Sequence, residues 1–76
     1  MKELVEFIAK SIVEDEEAVH VTESTGEDGR LVISLTVADG DKGKVIGRDG
    51  RVAEAIRTVL RIAAIRQGVR ASLEIV

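Results

Sequence analysis

The residues best suited to chemistry lie between positions 39 and 50. There Asp-Gly-Asp-Lys-Gly-Lys-Val-Ile-Gly-Arg-Asp-Gly gathers four of the chain's seven glycines with three basic side chains. Glycines this close together mark backbone conformations that other residues do not adopt. The chemistry they suit is the holding of an anion. Asp39 or Asp41 can cap a short helix through Lys44, Val45 and Ile46, Gly47 can end it in a left-handed conformation, and Gly50 can open the next helix. The turn Gly47-Arg48-Asp49-Gly50 then joins two helices. The second helix presents free N–H groups and the positive end of its dipole, and two glycines clear the approach for a phosphate. Lys44, Arg48 and Arg51 stand close enough in sequence to neutralise it. The pattern Gly-x-x-Gly alone carries little weight, because it occurs at 26–29, 40–43 and 47–50. Only the third copy follows an apolar pair, Val45-Ile46, and precedes a long amphipathic segment, the context that a clamp on a nucleotide backbone requires.

Other chemistries find no support. Gly43-Lys44 lacks the upstream glycine and the following Ser or Thr of a P-loop, and no Gly-x-Gly-x-x-Gly is present. The chain has no cysteine to serve as a nucleophile or thiolate ligand. Its one histidine, His20, falls on a strand in an acid-rich region, where a surface position accounts for it better than general-base work. The acids at 14–17 lack the glycine-containing loop of alternating oxygen ligands that a hard cation needs. The expectation is a binding protein, not an enzyme, with no metal or cofactor.

Positioning such a loop falls to the elements around it. Leu4, Val5, Ile8, Ile12 and Val13 recur at helical spacing, predicting an amphipathic helix that ends near the acidic run. Three segments then alternate with period two. Val19 and Val21 oppose His20 and Thr22; Leu31, Ile33, Leu35 and Val37 oppose Val32, Ser34, Thr36 and Ala38; Val69, Ala71, Leu73 and Ile75 oppose Arg70, Ser72 and Glu74. Thr25-Gly-Glu-Asp-Gly29 supplies a hairpin turn between the first two strands, which makes them antiparallel. Residues 52–65 read as a helix with Val52, Ile56, Val59, Leu60 and Ala63 on its apolar stripe, closed by Gly68. A helical crossover of about thirty residues between the second and third strands makes those two parallel and right-handed. The fold class is α+β, with helices on one face of a three-stranded mixed sheet.

At 76 residues the chain has room for one core and therefore one domain, 1–76. Its 45% hydrophobic and 33% charged composition is that of a globular protein. No apolar run reaches the roughly 18 residues of a membrane span. Without a basic segment leading into an apolar one at the N-terminus, the expected location is cytoplasmic. The net charge of −3 hides a division: residues 1–29 sum to −7 and residues 30–76 to +4. Local field, not net charge, decides whether a polyanion is attracted, so the second part suits an anion. Phe7 is the sole aromatic residue, which removes every mode of nucleic-acid binding that stacks bases on aromatic platforms.

The run Gly43-Lys-Val-Ile-Gly-Arg-Asp-Gly-Arg-Val-Ala-Glu-Ala-Ile-Arg57 resembles the signature of a KH domain. With the α-β-β-α-α-β order it resembles type II KH domains, and in length the small bacterial single-KH RNA-binding proteins of the KhpA type. The resemblance implies a cytoplasmic binder of single-stranded RNA, an RNA chaperone or post-transcriptional regulator that often works with a second KH-containing protein. By position, Gly47, Arg48, Asp49 and Gly50 become the clamp on the backbone of about four nucleotides, with Lys44 and Arg51 beside it. Ile46 and Val52, with Val32 and Ser34 of the second strand, become the aliphatic groove for bases. Two alternatives stand for Asp49: its side chain caps the long helix, or its carboxylate repels phosphate and weakens the clamp. Replacing both loop glycines by Asp is expected to abolish RNA binding in a folded protein. The rival expectation is a homo- or heterodimerisation module with incidental nucleic-acid binding, favoured by wide apolar stripes and by Ile65 on the long helix.

Overall fold

A computed structural model describes residues 1–76. Helix α1 (Lys2–Ile12) buries Val5 and Ala9, one turn apart, and carries Glu3 in its first turn and Lys10 in its last, each favourable to the helix dipole. Strands β1 (His20–Thr25) and β2 (Leu31–Thr36) pair antiparallel, His20 facing Thr36 and Thr25 facing Leu31. Their turn is closed by Gly26 N–H donating to the Arg30 carbonyl at 2.8 Å, with Gly29 at φ 82°. After a short helix α2 (Lys42–Ile46) and a long one, α3 (Arg51–Arg66), strand β3 (Ala71–Ile75) lies parallel to β2, Leu31 beside Ala71 and Leu35 beside Ile75. The sheet order is β1-β2-β3, so the crossover through α2 and α3 returns the chain to the free edge of the central strand. No helix is long and apolar enough to cross a membrane.

One face of the sheet meets the helices. Ile33 and Leu35 are fully buried there with Val21 and Leu73, against Val5, Ala9, Val45, Ile56 and Leu60. The strand period therefore sends Val32 and Ser34 to the other face.

Two expectations about the apolar faces need correction. The buried stripe of α3 is Ala53, Ile56, Leu60 and Ala64, whereas Val59 is 43% exposed. The stripe turns because β3 lies beneath α3 and α1 beside it, so small alanines enter the close-packed side. Val69 does not join β3. Its N–H donates to the Ala64 carbonyl and the Gly68 N–H to that of Ile65, both at 3.0 Å, with Gly68 at φ 72°. This is the pair of hydrogen bonds by which a left-handed glycine closes a helix, and it leaves Val69 in the turn, exposed.

Candidate nucleic-acid interface

The chain passes from α2 to α3 through residues 47–50, and the backbone there is unusual at three of the four. Gly47 has φ 76° and ψ 171°, Asp49 φ 56° and ψ 25°, and Gly50 φ 75° and ψ 11°. The Gly47 N–H ends α2 by donating to the Gly43 carbonyl at 2.8 Å, and the Gly50 N–H donates to the Gly47 carbonyl at 3.1 Å, closing a 3₁₀ turn over Arg48–Gly50. Gly47 occupies a region of backbone space that is essentially restricted to glycine. It is also pressed on α3, since a Cβ there would lie 2.8 Å from both the backbone nitrogen and Cβ of Val52. Gly50 faces open space. The two glycines thus differ in kind: Gly47 lets the loop pack on α3, while Gly50 keeps the entrance to α3 unobstructed. Replacing both by Asp therefore perturbs packing as well as the loop.

Arg48, Asp49 and Arg51 are exposed, and neither arginine takes part in an ion pair within the chain. The Asp49 side chain makes no hydrogen bond, and α3 begins at Gly50 without a side-chain cap, so the capping role considered for Asp49 is not realised.

Asp41 does not cap α2 either. It is the chain's one buried charged side chain, 4% exposed, and its two oxygens accept the backbone N–H groups of Glu14 at 3.2 Å and Asp15 at 3.1 Å. Lys44 completes the group, its Nζ lying 2.7 Å from Glu14 Oε1 and 3.6 Å from Asp41 Oδ1. The N–H donors of Asp15 and Glu14 hold the Asp41 carboxyl below its ordinary range despite burial. The hydrogen bond to Glu14 raises the Lys44 ammonium. Because the Asp41 carboxyl titrates lower in the folded chain than in the unfolded one, its stabilisation is present above the ordinary aspartate range and lost as acid protonates it.

The fold brings Lys44, Ile46, Arg48, Asp49, Arg51 and Val52 to the two helix ends that flank the loop. Ile46 is exposed, and Val52, half-buried, lies under Gly47. Val32 and Ser34 are not part of this surface, because they sit on the sheet face turned away from the helices. In their place Val52 opens onto a shallow apolar groove between α1 and α3, lined further by Ile8, Ile12, Ala55, Ile56 and Val59. Reading the sequence missed that groove; its signal was the breadth of the apolar stripe on α1, which carries Leu4, Ile8 and Ile12 beyond the residues the core consumes.

Comparison with known proteins places this geometry among relatives. A family model described as KhpA/KhpB, KH domain, matches residues 2–75. The chain is 51% identical to the RNA-binding protein KhpA of Clostridium perfringens over the full length of both. It is 47% identical to the RNA-binding protein KhpA of Chlamydia trachomatis, covering 99% of this chain and 95% of that one. Among solved structures, it superimposes on a GDP·AlF4⁻-bound variant of Era from Aquifex aeolicus with a TM-score of 0.66 at 22% identity, covering 97% of this chain and 28% of Era. Era in complex with MgGDPNP and nucleotides 1506–1542 of 16S ribosomal RNA matches to the same degree. These two matches bear on the fold.

Proposed function

The chain belongs to the KhpA/KhpB KH-domain family, and on that premise we propose that it binds single-stranded RNA by clamping the sugar-phosphate backbone at residues 47–50. The observation that carries this reading is the loop itself: two glycines at positive φ, open space at Gly50 before a sixteen-residue helix, and two exposed arginines free of internal ion pairs. A phosphate at the start of α3 meets the positive end of the helix dipole, and Arg48 and Arg51 neutralise it. Lys44 contributes only if a phosphate displaces Glu14 from its ammonium. Ile46 and Val52 offer aliphatic contact to the bases, which suits a chain with one aromatic residue. Asp49, uncapped and exposed, opposes the phosphate and holds affinity in the micromolar range. A module that touches about four bases reads little sequence. That fits a general role in the cytoplasm as an RNA chaperone or post-transcriptional regulator.

Fluorescence anisotropy of a labelled single-stranded RNA across a salt series tests the proposal. Two to four neutralised phosphates predict a log-log slope of about −1.4 to −2.8. Salt-independent binding, or none at tens of micromolar, overturns it.

A second reading rests on a separate observation. Phe7 on α1 and Ile62 and Ile65 on α3 are 72%, 53% and 69% exposed, on the same two helices that border the apolar groove. Such a surface suits association with a second copy or a second KH-containing protein. A chain that only dimerises shows no salt slope with RNA.

A further inference from the structure

We infer that Asp41 is a positioning residue of the loop clamp, holding α2, and with it Gly47, against the chain that leaves α1; its effect on RNA affinity rests on the function proposed above. Helix α2 has five residues, too few to hold its own geometry in water. Val45 is its only buried residue. Val45 and the seat of Gly47 on Val52 hold the C-terminal half of the helix and leave its first turn free to swing, which shifts the loop it carries. Asp41, at the N-terminal boundary of α2, removes this freedom. Its carboxylate grips two successive backbone N–H groups, those of Glu14 and Asp15, some 27 and 26 residues earlier in the chain. An acid at this boundary ordinarily caps its own helix, yet Asp41 makes no such bond and is buried facing the α1 exit instead. Lys44, one turn on, repeats the attachment by pairing with Glu14 and Asp41. The bracket spans the first turn of α2, and Gly47 follows directly at its other end.

The expected behaviour of Asp41→Asn separates positioning from general stability. The amide keeps one acceptor and turns a donor toward a backbone N–H, so one of the two bonds is lost. Hydrogen exchange at the Gly47 amide is expected to quicken about tenfold while the central strand keeps its protection, and RNA affinity to weaken about fivefold. Ala64→Gly, at the far end of α3, serves as the control: it destabilises the whole chain and is expected to leave both the Gly47-specific exchange and the affinity unchanged. Wild-type exchange at Gly47 in Asp41→Asn, a uniform rise across all amides, or unchanged affinity overturns the inference. Gly50→Asp measured alongside distinguishes the two levels. If it too binds RNA as the wild type does, the proposed clamp has failed and exchange at Gly47 alone decides the role of Asp41. Should Asp41→Asn not fold, Lys44→Met read by exchange gives a milder version, in which quicker exchange at Gly47 supports the bracket and an unchanged rate overturns it.

Discussion

Gly47→Ala is expected to destabilise the protein by about 3 kcal/mol and to abolish RNA binding with it. Two costs add. Alanine at φ 76° and ψ 171° enters a region essentially closed to residues with a side chain, at about 1–3 kcal/mol. Its Cβ then collides with Cγ2 of Val52 and lies 2.8 Å from that residue's nitrogen and Cβ, which forces α2 and α3 apart at a packed contact, at about 1–3 kcal/mol more. For a domain of this size, a loss of 3 kcal/mol lowers Tm by about 15 °C. Thermal unfolding followed by circular dichroism measures it. Val52→Ala in the same chain is expected to recover part of the loss, because it removes the methyl groups but leaves the backbone strain. A fully additive double variant would show that Gly47 and Val52 do not share the contact.

Gly50→Asp is expected to do the reverse, weakening RNA binding at least tenfold, or about 1.4 kcal/mol, while costing about 1 kcal/mol of stability. A Cβ at Gly50 has open space around it, with no atom beyond the neighbouring residues within 4 Å. Its φ of 75° and ψ of 11° are left-handed, and aspartate is among the residues that tolerate this region, as Asp49 already does beside it. The new carboxylate, however, adds a second negative charge beside Asp49 at the N-terminal boundary of α3, where the proposed clamp receives a phosphate. Repulsion between like charges in that space is the whole of the expected effect on affinity. Anisotropy titration beside thermal unfolding separates the two quantities, and wild-type affinity in the folded variant would place the RNA elsewhere.

These two glycines also mark the limit of what the sequence discloses. Both stand out as loop residues, but nothing in Gly-x-x-Gly distinguishes one pressed on a neighbouring helix from one facing solvent. The strands are plain in the sequence because the sheet is covered on one side only, so every second residue is apolar from Leu31 to Val37. That same alternation puts Val32 and Ser34 opposite Ile33, and it was enough to exclude them from a groove on the helical side. The α3 stripe is harder to read. Ala53, Ala63 and Ala64 carry weak hydrophobic signals, and which of them enters the core depends on how close β3 and α1 approach. Asp41 is opaque for another reason. Local spacing offers a helix cap, whereas the partners that claim its carboxylate lie 26 and 27 residues away and meet it only once the fold has formed.

Where RNA meets this protein is read most directly by titrating ¹⁵N-labelled protein with a single-stranded RNA of about ten nucleotides, long enough to fill one KH module, and recording proton–nitrogen correlation spectra. The largest shifts are expected on the amides of Gly47, Arg48, Asp49 and Gly50 and on the first turn of α3, with the open face of the sheet unmoved. Shifts centred on Thr22, Ser34 and Ser72, or on the groove between Ile8 and Val59 without the loop, would contradict the proposed clamp.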